Sequence, residues 1–334
     1  MTAEINIVGI GNAIMDVIAP VNDEFLSDFS IERNAMQLID EPRALELTQA
    51  FETHSQPQEI SGGSAANTIA GIAELGLKTA YLGKVANDEL GLRFKAGMNS
   101  SGVIFDGIAD TQSPATARSL IVVTPNGDRS MNTFLGISTD FSSDDIDADL
   151  IGTAKLLYME GYLFDKDSAK SAYVRASELA KAAGAKVSLT LSDSFCVDRH
   201  RTSFRHLVEN HVDILFANED ELLSLYERTD FEAALSDVAK FGTVACITRG
   251  AAGSVILDGH QRFDIAADPV SRVVDTTGAG DQYAAGVLTG YQLGLGWDKA
   301  GQLGSLCAAE VISHYGARPE VSVKALAAEK GISL

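Results

Sequence analysis

Basic residues are scarce in this chain: 26 lysines and arginines face 46 aspartates and glutamates, a formal net charge of -20 over 334 residues. Such a surface repels a polyphosphate backbone and excludes nucleic acid as a partner. An anionic ligand must then be held by local backbone N–H groups and a few placed cations. Cysteine is scarcer still. Cys196, Cys246 and Cys307 stand apart without CxxC spacing, so neither a disulfide framework nor a structural zinc is expected, as in a reduced cytoplasmic protein. Nowhere do about eighteen apolar residues run together, which argues against a membrane-spanning helix. The stretch MTAEINIVGIGNAIMD has no basic region ahead of its apolar run and carries Glu4 and Asp16. It reads as a strand rather than a secretory signal. His200, His206 and His211 cluster without the spacing of a metal motif.

Familiar nucleotide signatures are missing too. There is no GxxxxGK[ST] loop. VGIGNAIMD begins as GxG, but Ile14 stands where a dinucleotide fingerprint needs its third glycine. The loop set of protein kinases is absent.

What is present is the composition of a soluble globular protein, 46% hydrophobic and 22% charged. Short apolar runs at 79–85, 155–161, 186–192, 213–218, 244–250 and 254–259 alternate with amphipathic stretches at 65–76, 168–184, 219–229 and 231–242. Strands apolar on both faces, separated by helices, predict a doubly wound α/β domain over 1–334. Its sheet is mostly parallel, with ligands beyond the carboxyl ends of the strands. Two segments, approximately 17–40 and 111–136, read instead as β-hairpin material, the second with the turn TPNGDRS. They predict a small β-sheet lid inserted in the α/β body, or else a pair of edge strands with no part in binding.

The stretch DTTGAGDQYAAG, residues 275–286, places two glycines, an alanine and Asp281 at the mouth of an apolar helix. An acid in a first helical turn gains well under ~1 kcal/mol from the helix dipole, and the flexible residues before it cost backbone entropy. A site explains the pattern better. Successive small residues let backbone N–H groups converge on an anion without a lysine, and a carboxylate beside them can take a proton from an incoming hydroxyl. Phosphoryl transfer needs both.

DTTGAGDQYAAG resembles the second signature of the ribokinase-like (PfkB) carbohydrate and nucleoside kinases. GGSAANTIAGIAELG (62–76) is similar to their first signature, NEDE (218–221) to their NxxE motif, and TRGAAG (248–253) to their TxGxxG segment. These four matches fall in the family's order. The resemblance implies a ribokinase-like fold with ATP and magnesium as co-substrate and cofactor. It implies Asp281 as base, and Gly278, Ala279 and Gly280 as the N–H hole for the transferring phosphoryl group. Thr276 and Thr277 would contact phosphates, with turn formation as the alternative. Asn218 and Glu221 would orient magnesium, through water; the alternative is a capping pattern at a helix start. Thr248, Gly250 and Gly253 would approach ATP. Asp16, Gly62, Gly63 and Asn67 would form the sugar pocket, and Arg129 would reach from the lid to a phosphate or stay solvated. Asp275 and Thr277 match part of a monovalent-cation (potassium) site in some members, but Glu320 stands where the family has serine in the loop 314–320 that would complete it.

Among family branches, GNAIMDV, NAMQLID, DRSMNTFLG and GDQYAAG resemble the bacterial adenosine-kinase-like proteins. The expected reaction is transfer from ATP to the ribose 5'-hydroxyl of a purine nucleoside. Phe25, Met36 and Phe134 offer the base apolar surface, or form the lid's own core. The alternatives are a free sugar such as ribose, fructose or 2-keto-3-deoxygluconate, and a catalytically silent nucleotide-binding protein. The lid sheet would cover the substrate in a monomer or pair across a homodimer.

Overall fold

Leu156, Leu157, Tyr158 and Met159 are consecutive and all buried. Leu156 and Tyr158 belong to the core on one face of a sheet, Leu157 and Met159 to the core on the other. A strand covered on both faces requires such an unalternating run. The computed structural model describes residues 4–334. Its strands are β1 (Ile5–Ile10), β2 (Ile14–Pro20), β3 (Met36–Leu38), β4 (Gln58–Gly62), β5 (Thr79–Leu82), β6 (Val103–Phe105), β7 (Ala117–Val123) and β8 (Arg129–Phe134). There follow β9 (Ala154–Glu160), β10 (Lys186–Thr190), β11 (Ile214–Asn218), β12 (Val244–Thr248), β13 (Ser254–Asp258) and β14 (Gln261–Ile265).

Nine of them form one sheet in the order β14-β13-β12-β11-β10-β9-β1-β5-β6. From β6 to β12 every neighbouring pair is parallel; β13 and β14 add an antiparallel edge. Each of the six expected strands overlaps an observed one, β5 and β9 to β13, and runs one to three residues past one of its ends. The chain passes from β1 outward to β5 and β6 and then returns to β9 on β1's other side. Strand order therefore reverses beside β1, where doubly wound sheets open a crevice.

The other five strands form a second sheet, β3-β8-β7-β2-β4. Its β7–β8 hairpin is the one expected over 111–136. The expectation of a hairpin over 17–40 is corrected: β2 and β3 are not neighbours, and helix Asp23–Asp28 separates them. Asn22 caps that helix by accepting from the Phe25 N–H at 3.0 Å, and Asp23 and Glu24 suit its first turn. Strand β4 and helix Glu41–His54, capped by Asp40, also belong to the lid. Phe25, Leu47, Phe51, Leu120, Val122 and Phe134 pack as the lid's own core beneath these helices. Phe25 and Phe134 thus face away from any substrate, whereas Met36 lines the cleft. Because helices cover the lid's outer face, a lid-mediated dimer would have to use them or the edge strands β3 and β4. Among the described residues no helix is long and apolar enough to cross a membrane.

Candidate active site

Five parallel strands of the large sheet point their carboxyl ends at one cleft of about 820 Å³ beneath the lid. Asn12 just past β1, Glu160 of β9, Thr190 of β10, Asn218 of β11 and Thr248 of β12 all line it. The lid contributes Ile14 and Asp16 from β2, Ser119 from β7, Met131 and Thr133 from β8, and Met36 and Leu38 from β3.

Helix Ala279–Gln292 begins at the cleft. Gly278, its N-cap, has φ +79, and a Cβ there would lie 2.6 Å from the Ala317 Cα. Only glycine turns this corner without strain. Of the three expected donors, Ala279 N–H turns back to the Thr276 carbonyl at 3.2 Å. The N–H groups of Gly278, Gly280 and Asp281 have no acceptor among the described residues. A helix start with unpaired donors beside a cavity can hold an anion.

Asp281 is poised at the same point. Its Oδ1 accepts from Ser64 Oγ at 2.6 Å and its Oδ2 from Asn67 Nδ2 at 3.3 Å. Burial pushes its carboxyl up to about 6, against those two hydrogen bonds, which lower it. Asp16 is raised to about 6, chiefly by burial and further by the charge of Asp281, with Arg129 and Arg318 opposing. A Cβ on Gly62 would come within 2.5 Å of Asp16 Oδ2, so Gly62 serves the pocket by leaving room for the carboxylate. Gly63, with φ +98, abuts the Asn12 carbonyl.

Glu160, in the cleft wall, is tied by the Asn12 N–H at 2.6 Å, Asn12 Nδ2 at 2.9 Å and the Ala65 N–H at 2.7 Å. Burial raises it to about 7 against these bonds. It joins the end of β9 to the turn after β1 and to the helix that carries Ser64. Sequence reasoning named neither Glu160 nor Ser64, although Ser64 lies inside the quoted motif GGSAANTIAGIAELG. Tyr162, which lines the cleft just beyond β9, was missed as well.

The remaining expected residues divide. Thr248, Thr276 and Thr277 line the cleft; Gly250 and Gly253 do not. Gly253 instead packs against the Ile265 carbonyl beside β14. Asn218 and Glu221 line the cleft and also form a reciprocal capping box: Glu221 N–H donates to Asn218 Oδ1 at 2.8 Å, and Asn218 N–H and Nδ2 donate to the Glu221 carboxylate at 3.0 and 2.7 Å. Arg129 does reach across from the lid, but in this structure its guanidinium is paired with the buried Asp275 carboxylate. Asp275 also accepts from Thr277 N–H at 3.0 Å, Thr277 Oγ1 at 2.7 Å and Gly316 N–H at 3.2 Å.

A doubly wound sheet, a sheet lid, unpaired N–H groups at a helix start and a buried carboxylate in one cleft suit an enzyme that moves a phosphoryl group onto a small alcohol. Residues 32–324 match the model of the pfkB family carbohydrate kinases, and the chain belongs to that family. It is therefore a phosphotransferase with an alcohol acceptor and ATP as co-substrate. A solved structure of a probable sugar kinase from Rhizobium etli is 44% identical, with TM-score 0.89, 98% of this chain and 99% of that one covered. The adenosine kinase of Sinorhizobium meliloti is also 44% identical, with TM-score 0.88 and coverage of 98% and 100%. The adenosine kinase of Saccharomyces cerevisiae is 27% identical over 340 residues, 95% of this chain and 96% of that one.

Proposed function

We propose that the chain phosphorylates the 5'-hydroxyl of a purine nucleoside. The observation that carries this reading is a row of side chains across the lid. Asp16 pairs in register with Ser119, Ser119 with Thr133, and Thr133 with Leu38. Four adjacent strands at ~4.8 Å spacing give a row of roughly 14 Å, hydrophilic at one end and apolar at the other. Met36 and Leu38, 55% and 53% exposed, end it, and Tyr162 also faces the cleft. A ribose held at Asp16 and a flat base against the apolar end would use that length; one sugar ring would leave the far end bare. The likeness to the S. meliloti adenosine kinase supports the same reading. A free sugar such as ribose, fructose or 2-keto-3-deoxygluconate is the second reading, favoured by the likeness to the probable sugar kinase of R. etli. An ADP-release assay over adenosine, inosine and these sugars decides: turnover of adenosine or inosine well above every sugar is expected, and the reverse order would replace the first reading by the second.

In this reading Asp16 accepts hydrogen bonds from the sugar hydroxyls, with Gly63 and Asn67 beside it. The acceptor hydroxyl lies against Asp281, which takes its proton as the oxygen attacks. The free N–H groups at the helix start receive the negative charge of the transferring phosphoryl group. Thr248, Thr276 and Thr277 line the remaining wall on the ATP side. The lid excludes water that would otherwise accept the phosphate. Both carboxylates must be ionised, and both are raised to about 6. Turnover at limiting substrate is therefore expected to fall as pH drops through about 6, and more steeply than for one titrating group. A pH profile level down to about pH 4.5 would contradict it.

Magnesium keeps most of its water and takes a carboxylate plus phosphate oxygens, which suits the cleft-lining Glu221 with Asn218 acting through water. When bound, the ion would neutralise phosphate charge. In this reading potassium is not required. Asp275 already has three hydrogen-bond donors and a guanidinium, and Gly316 presents it an N–H where a cation needs an oxygen. Arg129 supplies the positive charge there. Exchanging potassium for sodium at equal ionic strength is expected to change turnover by less than about twofold; a loss of about tenfold or more would place a cation beside Asp275.

A further inference from the structure

Arg318 lies in the loop 314–320, behind the cleft wall and outside its lining. It is partly buried and forms no salt bridge among the described residues. A guanidinium in that situation is costly unless hydrogen bonds and nearby negative charge offset its lost hydration. Its Nε donates to Asn67 Oδ1 at 3.3 Å, Nη1 to Ser101 Oγ at 3.2 Å and Nη2 to the Met98 sulfur at 3.5 Å. The loop itself is pinned, because Gln282 Nε2 donates both to the Ala317 carbonyl at 3.0 Å and to the Asn67 carbonyl at 3.2 Å.

The consequence is felt at the reacting carboxylate. With Oδ1 taken by Arg318, the Asn67 amide has only one favourable orientation. Turned over, its NH₂ would face the guanidinium donors and its oxygen would face Asp281, so both contacts would be repulsive. In the present orientation Nδ2 donates to Asp281.

We propose that Arg318 is a positioning residue for Asp281: its Nε–H fixes the Asn67 amide so that Nδ2 faces the Asp281 carboxylate. The inference rests on the reading of Asp281 as base.

The test compares wild type with Arg318→Met and Arg318→Lys in the full chain, each first checked for a cooperative thermal transition. The carboxyl ¹³C resonance of Asp281, assigned with Asp281→Asn, is titrated in the protein without substrate, and kcat and KM are measured against pH for whichever substrate the ADP-release assay selects. Arg318→Met is expected to move the Asp281 midpoint upward, because the Asn67 hydrogen bond that favours the carboxylate is lost, and the acid limb of kcat/KM with it. Its kcat on the alkaline plateau should fall about tenfold, as the Asn67 amide loses its orientation. Arg318→Lys keeps the charge without the planar fork, so it should restore neither the Asp281 midpoint nor kcat. An Asp281 midpoint that is the same in Arg318→Met as in wild type, or one that lysine restores in full, overturns the proposal. If no substrate is turned over, the functional reading has failed, and the carboxyl titration still judges the role of Arg318.

Discussion

Asp281→Asn is expected to lower kcat by roughly 10²–10⁴-fold while ATP binding is retained. The two effects separate because the proposed anion cradle is backbone. The N–H groups of Gly278, Gly280 and Asp281 itself survive the substitution, whereas the proton acceptor does not. The amide can still take the Ser64 hydroxyl on its oxygen, but its NH₂ would confront the Asn67 NH₂ that now donates to Asp281. Stability should move the other way. Burial holds Asp281 at about 6, above its ordinary value of 3.8. The folded chain therefore binds that proton more tightly than the unfolded chain. The penalty for ionising the group in place is absent below about pH 4, grows between about 4 and 6, and is fully present above. Removing the charge should raise the stability of the fold at pH 8 by on the order of 1–3 kcal/mol, with the gain fading toward pH 4. Melting curves at the two pH values, alongside kcat and ATP affinity, check both halves. A variant that keeps turnover within about tenfold of wild type would falsify the assignment of Asp281 as the base.

How much of this was legible in the chain follows from where each interaction is specified. The runs around Leu157 and Leu215 announce buried strands because burial on both faces leaves no alternation to read, and their neighbours confirm parallel order. The segment QEISG of β4 is mostly polar and exposed, and MQL of β3 is three residues long, so neither carries a pattern. They become strands only because β2 and β8 offer them an edge. The same division runs through the site. Gly278 to Asp281 are contiguous, so the anion cradle and base proposed for them are specified locally and can be read from composition. Glu160 meets Ala65 across 95 residues, and Arg318 meets Asn67 across 251. Those roles exist only once the sheet has brought the strand ends together. Asn218 and Glu221 show the opposite limit: a spacing of three is a helix-start signature as well as a family motif, and the side chains satisfy the local rule while lining the cleft. Arg129 was legible as a cation reaching from the lid, but its partner Asp275, 146 residues away, was not.

Gly278→Ala is expected to lower kcat by roughly 10²–10³-fold, the cost of losing one donor of an oxyanion-type hole. The alanine would have to hold φ near +79 and place its Cβ 2.6 Å from the Ala317 Cα and 2.8 Å from the Ala317 carbonyl oxygen. Both contacts are backbone, so neither can swing aside as a side chain would. Relief must come from moving the helix start or the loop 314–320, and that loop carries the Gly316 N–H bound to Asp275 and the Arg318 side chain bound to Asn67. Either displacement turns the free N–H groups away from the phosphoryl position, and stability should fall as well. Gly280→Ala provides the contrast. No atom lies within 4 Å of its added Cβ, and its φ is ordinary, so the fold should be as stable as before or slightly more so. That methyl would stand in the cleft where the proposed reading seats ATP's phosphates, and the expected loss lies in nucleotide affinity, read as a raised KM for ATP. Measured side by side, one variant should suffer in kcat and melting temperature and the other in KM for ATP alone. Gly278→Ala with unchanged kcat, or Gly280→Ala with wild-type ATP affinity, would mean that the phosphate does not sit at this helix start.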